Sequence, residues 1–556
     1  MNPTLPVTIE FDVEARMRDG VILRANVFRP NAPGTFPVVL SRTPYNKISP
    51  SDGGFDPLLL SRSGFIVAVQ DVRGRYASDG EWEAFEHERE DGYDSVEWAA
   101  RLPGSNGRVG MYGASYIGTT QWAAAVTRPP SLKAIMPALT WRDMADGVIR
   151  RDGAIDLGLP AFWTLFQGFD YLARTSTPQT HQERYDLLAD TYDALATDGY
   201  WTLPAIEMPY AKLNGLPTAS MHPDNVVATS YTDADFDGLD ADLGVAATAG
   251  WYDLFIQGSL DTYMAARERG LDARLTVGPW THTSLADRIG QRSFGIRSAR
   301  DTFMADYTDS WFARHLGFLT EYLGDGAAAG DQPDNRVRIF VMGRNEWRDE
   351  PEWPLARAVD QRWHLRSDGG LDPDASASPD TETREYDYDP ADPVPTTGGA
   401  AMLMPGFHGG PMDQAPIEGR DDVLVYTSAP LAADLEVTGR LRAAITVQSS
   451  AGATDWVVRL CDVDPEGRSW VICDGITRIL DGADQVRLVE IDLWSTSNVF
   501  LAGHRLRVHV TSSCFPRWDR NLNTGDQNAD GMVVAHQRVH HGAATPSWVE
   551  LPVIAD

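Results

Sequence analysis

Val109-Gly110-Met111-Tyr112-Gly113-Ala114-Ser115-Tyr116-Ile117-Gly118, running on into Thr119-Thr120-Gln121-Trp122-Ala123-Ala124-Ala125-Val126, reads as a buried strand, a glycine-punctuated turn and a helix. Small neighbours let the backbone bend sharply from strand to helix, and a serine at the apex of that bend has its hydroxyl pushed out above the sheet. The free N–H groups at the start of the following helix, and its dipole, then lie beside any negative charge that develops at the serine. Such a turn suits a nucleophile. The usual spacing is G-x-S-x-G, whereas here residue 117 is Ile and the second glycine falls one place later, at Gly118. The case for a nucleophile therefore depends on partners elsewhere in the chain.

Outward from this stretch the text is that of a parallel sheet. Residues 7 to 29 give two short alternating strands about the turn Arg18-Asp19-Gly20, the pattern of a half-exposed hairpin. Phe36 to Leu40 and Gly64 to Val72 are apolar on both faces, as central strands covered by helices are. A helix is predicted over Glu88 to Ala100 and a further strand over Leu132 to Ala138, which makes a doubly wound α/β arrangement. Catalytic groups in such sheets sit beyond the carboxyl ends of the strands, where Ser115 is expected.

From 143 to 240 the alternation gives way to helical, aromatic-rich text, including Phe162-Trp163-Thr164-Leu165-Phe166, the place for an inserted helical cap. Strands resume at Leu243 to Ala249, ending in Gly250-Trp251-Tyr252-Asp253, and at Ala273 to Val277, ending in Gly278-Pro279-Trp280-Thr281-His282. An acid and a histidine thus follow sheet strands in the order Ser, Asp, His of an α/β-hydrolase. After Trp353-Pro354 the text is all-β. A polar stretch from Ser367 to Thr397 reads as an irregular connection, and alternating runs such as Leu441, Ala443, Ile445, Val447 indicate a sandwich or jelly roll. The expected division is 1–142 and 241–353 for the hydrolase sheet, 143–240 for the cap and 354–556 for the jelly roll.

Composition narrows the partners. A chain of 556 residues exceeds one hydrophobic core, so roughly two to four units are expected. The formal charge of −31 argues against nucleic acid and anionic membranes. The N-terminal text has no basic-then-apolar signal pattern, and no stretch is long and apolar enough to span a bilayer. Three cysteines, Cys461, Cys473 and Cys514, read as reduced core thiols of a cytoplasmic protein, although Cys461 and Cys473 flank a predicted turn at Asp464-Pro465-Glu466-Gly467 and could lie close. No cofactor is implied. His540-His541 lacks accompanying ligands at metal spacing and reads as a surface pair; an acidic multidomain hydrolase of this kind could be a homodimer.

The chemistry follows from three residues. A serine hydroxyl is a weak nucleophile near pH 7 and needs a base within reach. His282 is the histidine at a strand end, whereas His87, His181, His222 and His315 are not so placed. Asp253 would hold the imidazole and stabilise its charged form. The tetrahedral intermediate needs donors for its oxyanion: the backbone N–H of Tyr116 is one, and the loop Ser41-Arg42-Thr43-Pro44-Tyr45 offers the Tyr45 phenol as a second.

At this point the sequence resembles the cocaine-esterase and X-prolyl dipeptidyl-peptidase family of α/β-hydrolases, in Arg42-Thr43-Pro44-Tyr45, Gln70-Asp71-Val72-Arg73-Gly74, Gly113-Ala114-Ser115-Tyr116-Ile117-Gly118, the two strand-end segments at 250–253 and 278–282, and Ser512 to Asn521. The resemblance spans nearly the whole chain. It implies a hydrolase sheet, a helical cap and a C-terminal jelly roll, with Tyr45 as the second oxyanion donor and Gly118 as the family's own glycine. Likeness to the cocaine-esterase branch further implies an aromatic acyl pocket including Trp163 and Phe255, with Met402 and Leu403 added from the jelly roll. The α-amino acid ester hydrolase branch places carboxylates where this chain has Phe255 and Ile256 and is disfavoured. The leading expectation is a serine esterase acting on a small-molecule ester. An amidase, acylase or X-prolyl dipeptidyl-peptidase stands as the alternative, and a non-catalytic binding protein stands behind both.

Overall fold

A computed structural model describes residues 5–48, 55–205, 230–300, 310–324, 336–374, 382–404, 406–526 and 531–555; His222 lies outside them. Ten strands form one sheet, in the spatial order Val7–Arg16, Ile22–Pro30, Ile66–Asp71, Phe36–Thr43, Ser105–Ala114, Leu132–Ala138, Gly244–Tyr252, Ala273–Thr281, Val337–Val341, Glu346–Glu350. The seven from Ile66–Asp71 to Val337–Val341 are mutually parallel. An antiparallel hairpin closes the near edge, and Glu346–Glu350 closes the far one. Every residue of Ile66–Asp71 and of Gly244–Tyr252 is buried, which is why their text is apolar without alternation. Helices Pro57–Arg62, Glu88–Ala100, Tyr116–Val126, Ile256–Glu268 and Trp311–Leu323 lie on the crossovers between parallel strands.

The insertion holds a two-stranded ribbon, Arg150–Arg151 with Ala154–Ile155, and two packed helices, Gly158–Thr175 and His181–Ala194. Leu157, Ala161, Leu165, Leu172 and Leu188 form their shared core, and Phe515 from the C-terminal region joins it. The backbone N–H of Gly158, at the start of the first helix, donates to the Arg517 carbonyl at 3.2 Å.

Beyond residue 353 the chain forms an all-β domain whose long strand Leu435–Ser449 pairs with Arg487–Phe500, Ala535–His540 and Trp548–Ile554, all antiparallel and all distant in sequence. Two expectations change here. The stretch Ser367 to Thr397 is not wholly irregular: Thr383–Tyr388 is a strand paired with Ala535–His540, because Tyr386 and Tyr388 alternate into the core. His541 is not a surface residue. It is fully buried, within 3.1 Å of the Tyr426 hydroxyl and 3.2 Å of the Glu382 carbonyl, and burial pushes its imidazole down to about 4. The three cysteines are free thiols. No described helix is long and apolar enough to cross a membrane.

Candidate active site

The bend after Ser105–Ala114 explains its own glycines. Ser115 has φ 59° and ψ −123°, a positive-φ conformation that a non-glycine residue holds only where its surroundings impose it. Gly113 has φ +141°, and a Cβ there would lie 2.1 Å from Ile117 Cγ2. Ile117 thus folds back over Gly113, and residue 117 is the apolar lid of the turn. The close approach to the next strand falls one position later. A Cβ on Gly118 would lie 2.9 Å from the Ala138 carbonyl oxygen and 2.9 Å from Thr140 Cβ. The shifted glycine is where helix and strand meet. Ser115 is tied on both sides, its N–H donating to Ala138 O at 2.9 Å and its carbonyl accepting from Thr140 Oγ1 at 3.2 Å.

The other two strand ends share one device. Side chains at Gly250 and Gly278 would both collide with Trp280, whose ring covers Gly278 and whose indole N–H donates to Ser298 O at 2.7 Å. The register between the two strands slips between Gly278 and Thr281, and this bulge turns the chain so that Asp253 and His282 face one another. Ser115 Oγ lies 2.9 Å from His282 Nε2, and His282 Nδ1 lies 2.8 Å from Asp253 Oδ1. Asp253 is fully buried. The structure therefore brings Ser115, His282 and Asp253, separated by 138 and 29 residues in order of acid and histidine, into one hydrogen-bonded chain.

Tyr116 begins the helix after the bend, so its N–H has no intrahelical acceptor. Its phenol is anchored away from the site, donating to Glu88 Oε1 at 2.8 Å and accepting from the Phe85 N–H at 2.9 Å. Burial and the Glu88 carboxylate raise its pKa well above the usual phenol range, so the phenol stays protonated. Glu88 in turn accepts from buried Arg42 at 2.6 Å, so the residue that follows the serine rests on a buried ionic post. The Tyr45 ring stands edge-on to Tyr116, centroids 6.4 Å apart, and its hydroxyl accepts from Trp163 Nε1 at 3.1 Å.

A cavity of about 920 Å³ opens on Ser115 and His282. Tyr45, Leu159, Trp163, Phe166 and Met402 are among its walls, so the insertion and the C-terminal domain both contribute. Trp163 stacks on Phe85 and Tyr116. Phe255 and Leu403 are not among the described lining residues. Phe255 packs edge-on against the His282 ring, centroids 5.0 Å apart, and Leu403 is turned onto Gly158, where an added Cβ would come within 2.0 Å of it.

Sequence reasoning missed the residues that hold these groups. Thr140 and Glu88 carry no motif of their own. Arg75, fully buried two places past Arg73, donates from Nε to Pro44 O and from its two Nη groups to Gln167. The available signal was a second arginine close behind the strand end, in Asp71-Val72-Arg73-Gly74-Arg75, since a charge buried there requires partners.

Fold and geometry together define an α/β-hydrolase. The chain belongs to the X-Pro dipeptidyl-peptidase (S15) family: that family's model matches residues 19–284, and the model of the X-Pro dipeptidyl-peptidase C-terminal non-catalytic domain matches 330–550. It is 36% identical to the cocaine esterase of Rhodococcus sp. (strain MB1 Bresler), across 98% of this chain and 99% of that one. Among solved structures it is similar to an aminopeptidase from a marine sediment archaeon (TM-score 0.77, 25% identity, 99% and 97% of the two chains). An α-amino acid ester hydrolase shares the fold (TM-score 0.76, 24% identity, 98% and 96%).

Proposed function

We propose that the protein is a serine hydrolase that cleaves carboxylic esters through a covalent acyl-enzyme on Ser115. The observation that carries this is the Ser115–His282–Asp253 chain, 2.9 and 2.8 Å in its two links, at the mouth of a largely apolar cavity; likeness to a cocaine esterase over the whole chain supports the ester class. Asp253 accepts from His282 Nδ1, which fixes the tautomer and leaves Nε2 to take the serine proton. As Ser115 Oγ bonds to the acyl carbon, the carbonyl oxygen becomes an oxyanion, which receives hydrogen bonds from the Tyr116 N–H and the Tyr45 hydroxyl. Collapse breaks the bond to the alcohol oxygen, and His282 returns the proton to that oxygen. Water repeats the sequence on the acyl-enzyme and releases the acid. One such donor contributes about 3–4 kcal/mol to the transition state.

Amide cleavage runs through the same intermediate, but the cavity favours the ester reading over an X-prolyl peptidase. A peptide amino terminus needs an anion, whereas the described cavity walls include the cation Arg300. Ser115→Ala removes the burst with an activated aryl ester and the labelling by a fluorophosphonate probe; a variant that keeps both overturns the assignment. Matched ester and anilide substrates, run with aliphatic and aromatic acyl groups, separate the two readings and test the aromatic pocket.

A further inference from the structure

The helix Gly158–Thr175 addresses the hydrolase loops along a single stripe. Trp163, Gln167, Asp170 and Arg174 follow the i, i+4, i+7, i+11 spacing of one helical face, and each meets the loops after Phe36–Thr43 and Ile66–Asp71. Trp163 Nε1 donates to the Tyr45 hydroxyl at 3.1 Å. The Gln167 carbonyl and Oε1 accept from Arg75 at 3.1 and 2.7 Å, and Arg75 Nε donates to the Pro44 carbonyl, one residue before Tyr45, at 3.1 Å. Asp170 Oδ2 lies 3.5 Å from Arg75 Nε and accepts from the Tyr76 N–H at 3.3 Å, and Arg174 donates to the Tyr76 and Ser78 carbonyls. Arg75 is sandwiched against Trp82, 4.4 Å from its ring centre. Trp163 reaches Tyr45 directly and Gln167 reaches it through Arg75 and Pro44, while Asp170 and Arg174 fasten the adjoining loop at Tyr76 and Ser78.

We propose that Gln167, acting through Arg75, and Trp163 are positioning residues that hold the Tyr45 hydroxyl at its working place, so that the inserted helix is part of the oxyanion hole. This rests on the reading of Tyr45 as an oxyanion donor. A donor on a loop is effective only if it is fixed before charge develops, and a misplacement of about 1 Å removes much of its effect. The Trp163 N–H occupies a lone pair of the phenol oxygen and so orients its proton. Arg75 fixes the backbone that carries the ring. Gln167 is the informative residue because it is buried and is not among the described cavity walls, so its loss leaves the acyl site in place.

The test is a double-mutant cycle in the full chain with an activated aryl ester. Tyr45→Phe lowers kcat by about a hundredfold. Gln167→Leu lowers kcat by about tenfold with KM within about twofold, and Gln167→Glu, which keeps an acceptor for Arg75, recovers most of that loss. In the Tyr45→Phe background, Gln167→Leu has less than a twofold further effect, because its route to the reaction is gone. If Gln167→Leu costs the same factor with and without the phenol, or Gln167→Glu is no better, the positioning role is overturned while the oxyanion reading stands. If Tyr45→Phe leaves kcat unchanged, both fall. Should Gln167→Leu fail to fold by circular dichroism, Arg75→Lys, which loses the guanidinium fork, takes its place in the same cycle.

Discussion

Asp156 sits at the joint between the ribbon Arg150–Ile155 and the helix that covers the site, almost wholly buried, and burial pushes its carboxyl up to about 7. Arg517 and Arg151 pull the other way, but Arg517 is paired with Asp474 and Arg151 is engaged with the carbonyls of Asp474 and Asp492. A carboxyl that binds its proton more tightly in the folded chain than in the unfolded one gives most stability below its unfolded value and takes it away as pH rises toward the folded value. The window here runs from about 4 to about 7, and the slope is about 1.4 kcal/mol per pH unit. Between pH 5 and pH 8 the ionised group therefore costs the fold roughly 3 kcal/mol. Asp156→Asn removes the titration and keeps an oxygen for the Leu159 N–H that the carboxylate accepts. Urea midpoints of the protein and the variant, measured at pH 5, 6, 7 and 8, should diverge with rising pH in favour of the variant, and the divergence should level off above about pH 7. Parallel curves would refute the reasoning, since other acids titrate equally in both proteins and cancel in the difference.

Two further perturbations bear on the glycines. Gly118→Ala should lower both the melting temperature and kcat by about tenfold for the latter, because the new methyl presses on Ala138 O and on Thr140, which holds the serine carbonyl; helix propensity alone would instead stabilise it by about 1 kcal/mol, so a stabilised, fully active variant counts against the packing account. Gly158→Ala should destabilise by about 1–3 kcal/mol through collision with Leu403, and Leu403→Ala in the same chain should recover part of it. Additive effects of the pair in thermal unfolding would show that the two residues do not meet.

How much of this was legible in the sequence differs from one residue to the next. The strand Leu132–Ala138 has the bounds that its apolar text implies, because burial on both faces leaves a local signature; the helix Glu88–Ala100 has its expected bounds although its text is largely polar and one side stays partly exposed. Ser115, Asp253 and His282 stood out because each follows a strand of one parallel sheet, and topology then makes them neighbours. Trp280 is different: its conflict with Gly250 exists only once two strands lie side by side. Arg75 and Gln167 are 92 residues apart, and no periodicity links them. Phe255 and Leu403 were placed as pocket residues by resemblance, but whether a buried apolar side chain faces a cavity or its neighbour depends on rotamer and packing, which text does not carry. His541 reads as a surface residue because no ligand at metal spacing accompanies it, yet its partner Tyr426 arrives from a strand over a hundred positions earlier.

The seat of the helix Gly158–Thr175 has a consequence for synthesis. Its first N–H is received by the Arg517 carbonyl, its core is closed by Phe515, and Met402 completes the wall opposite. On the ribosome, the serine, its helix and the covering segment emerge long before these residues do, while N-terminal portions of a chain are free to fold first. The nascent chain must therefore carry this apolar helix face without its distal partners through most of translation, until residues from the far end of the sequence come back to close over what was made early.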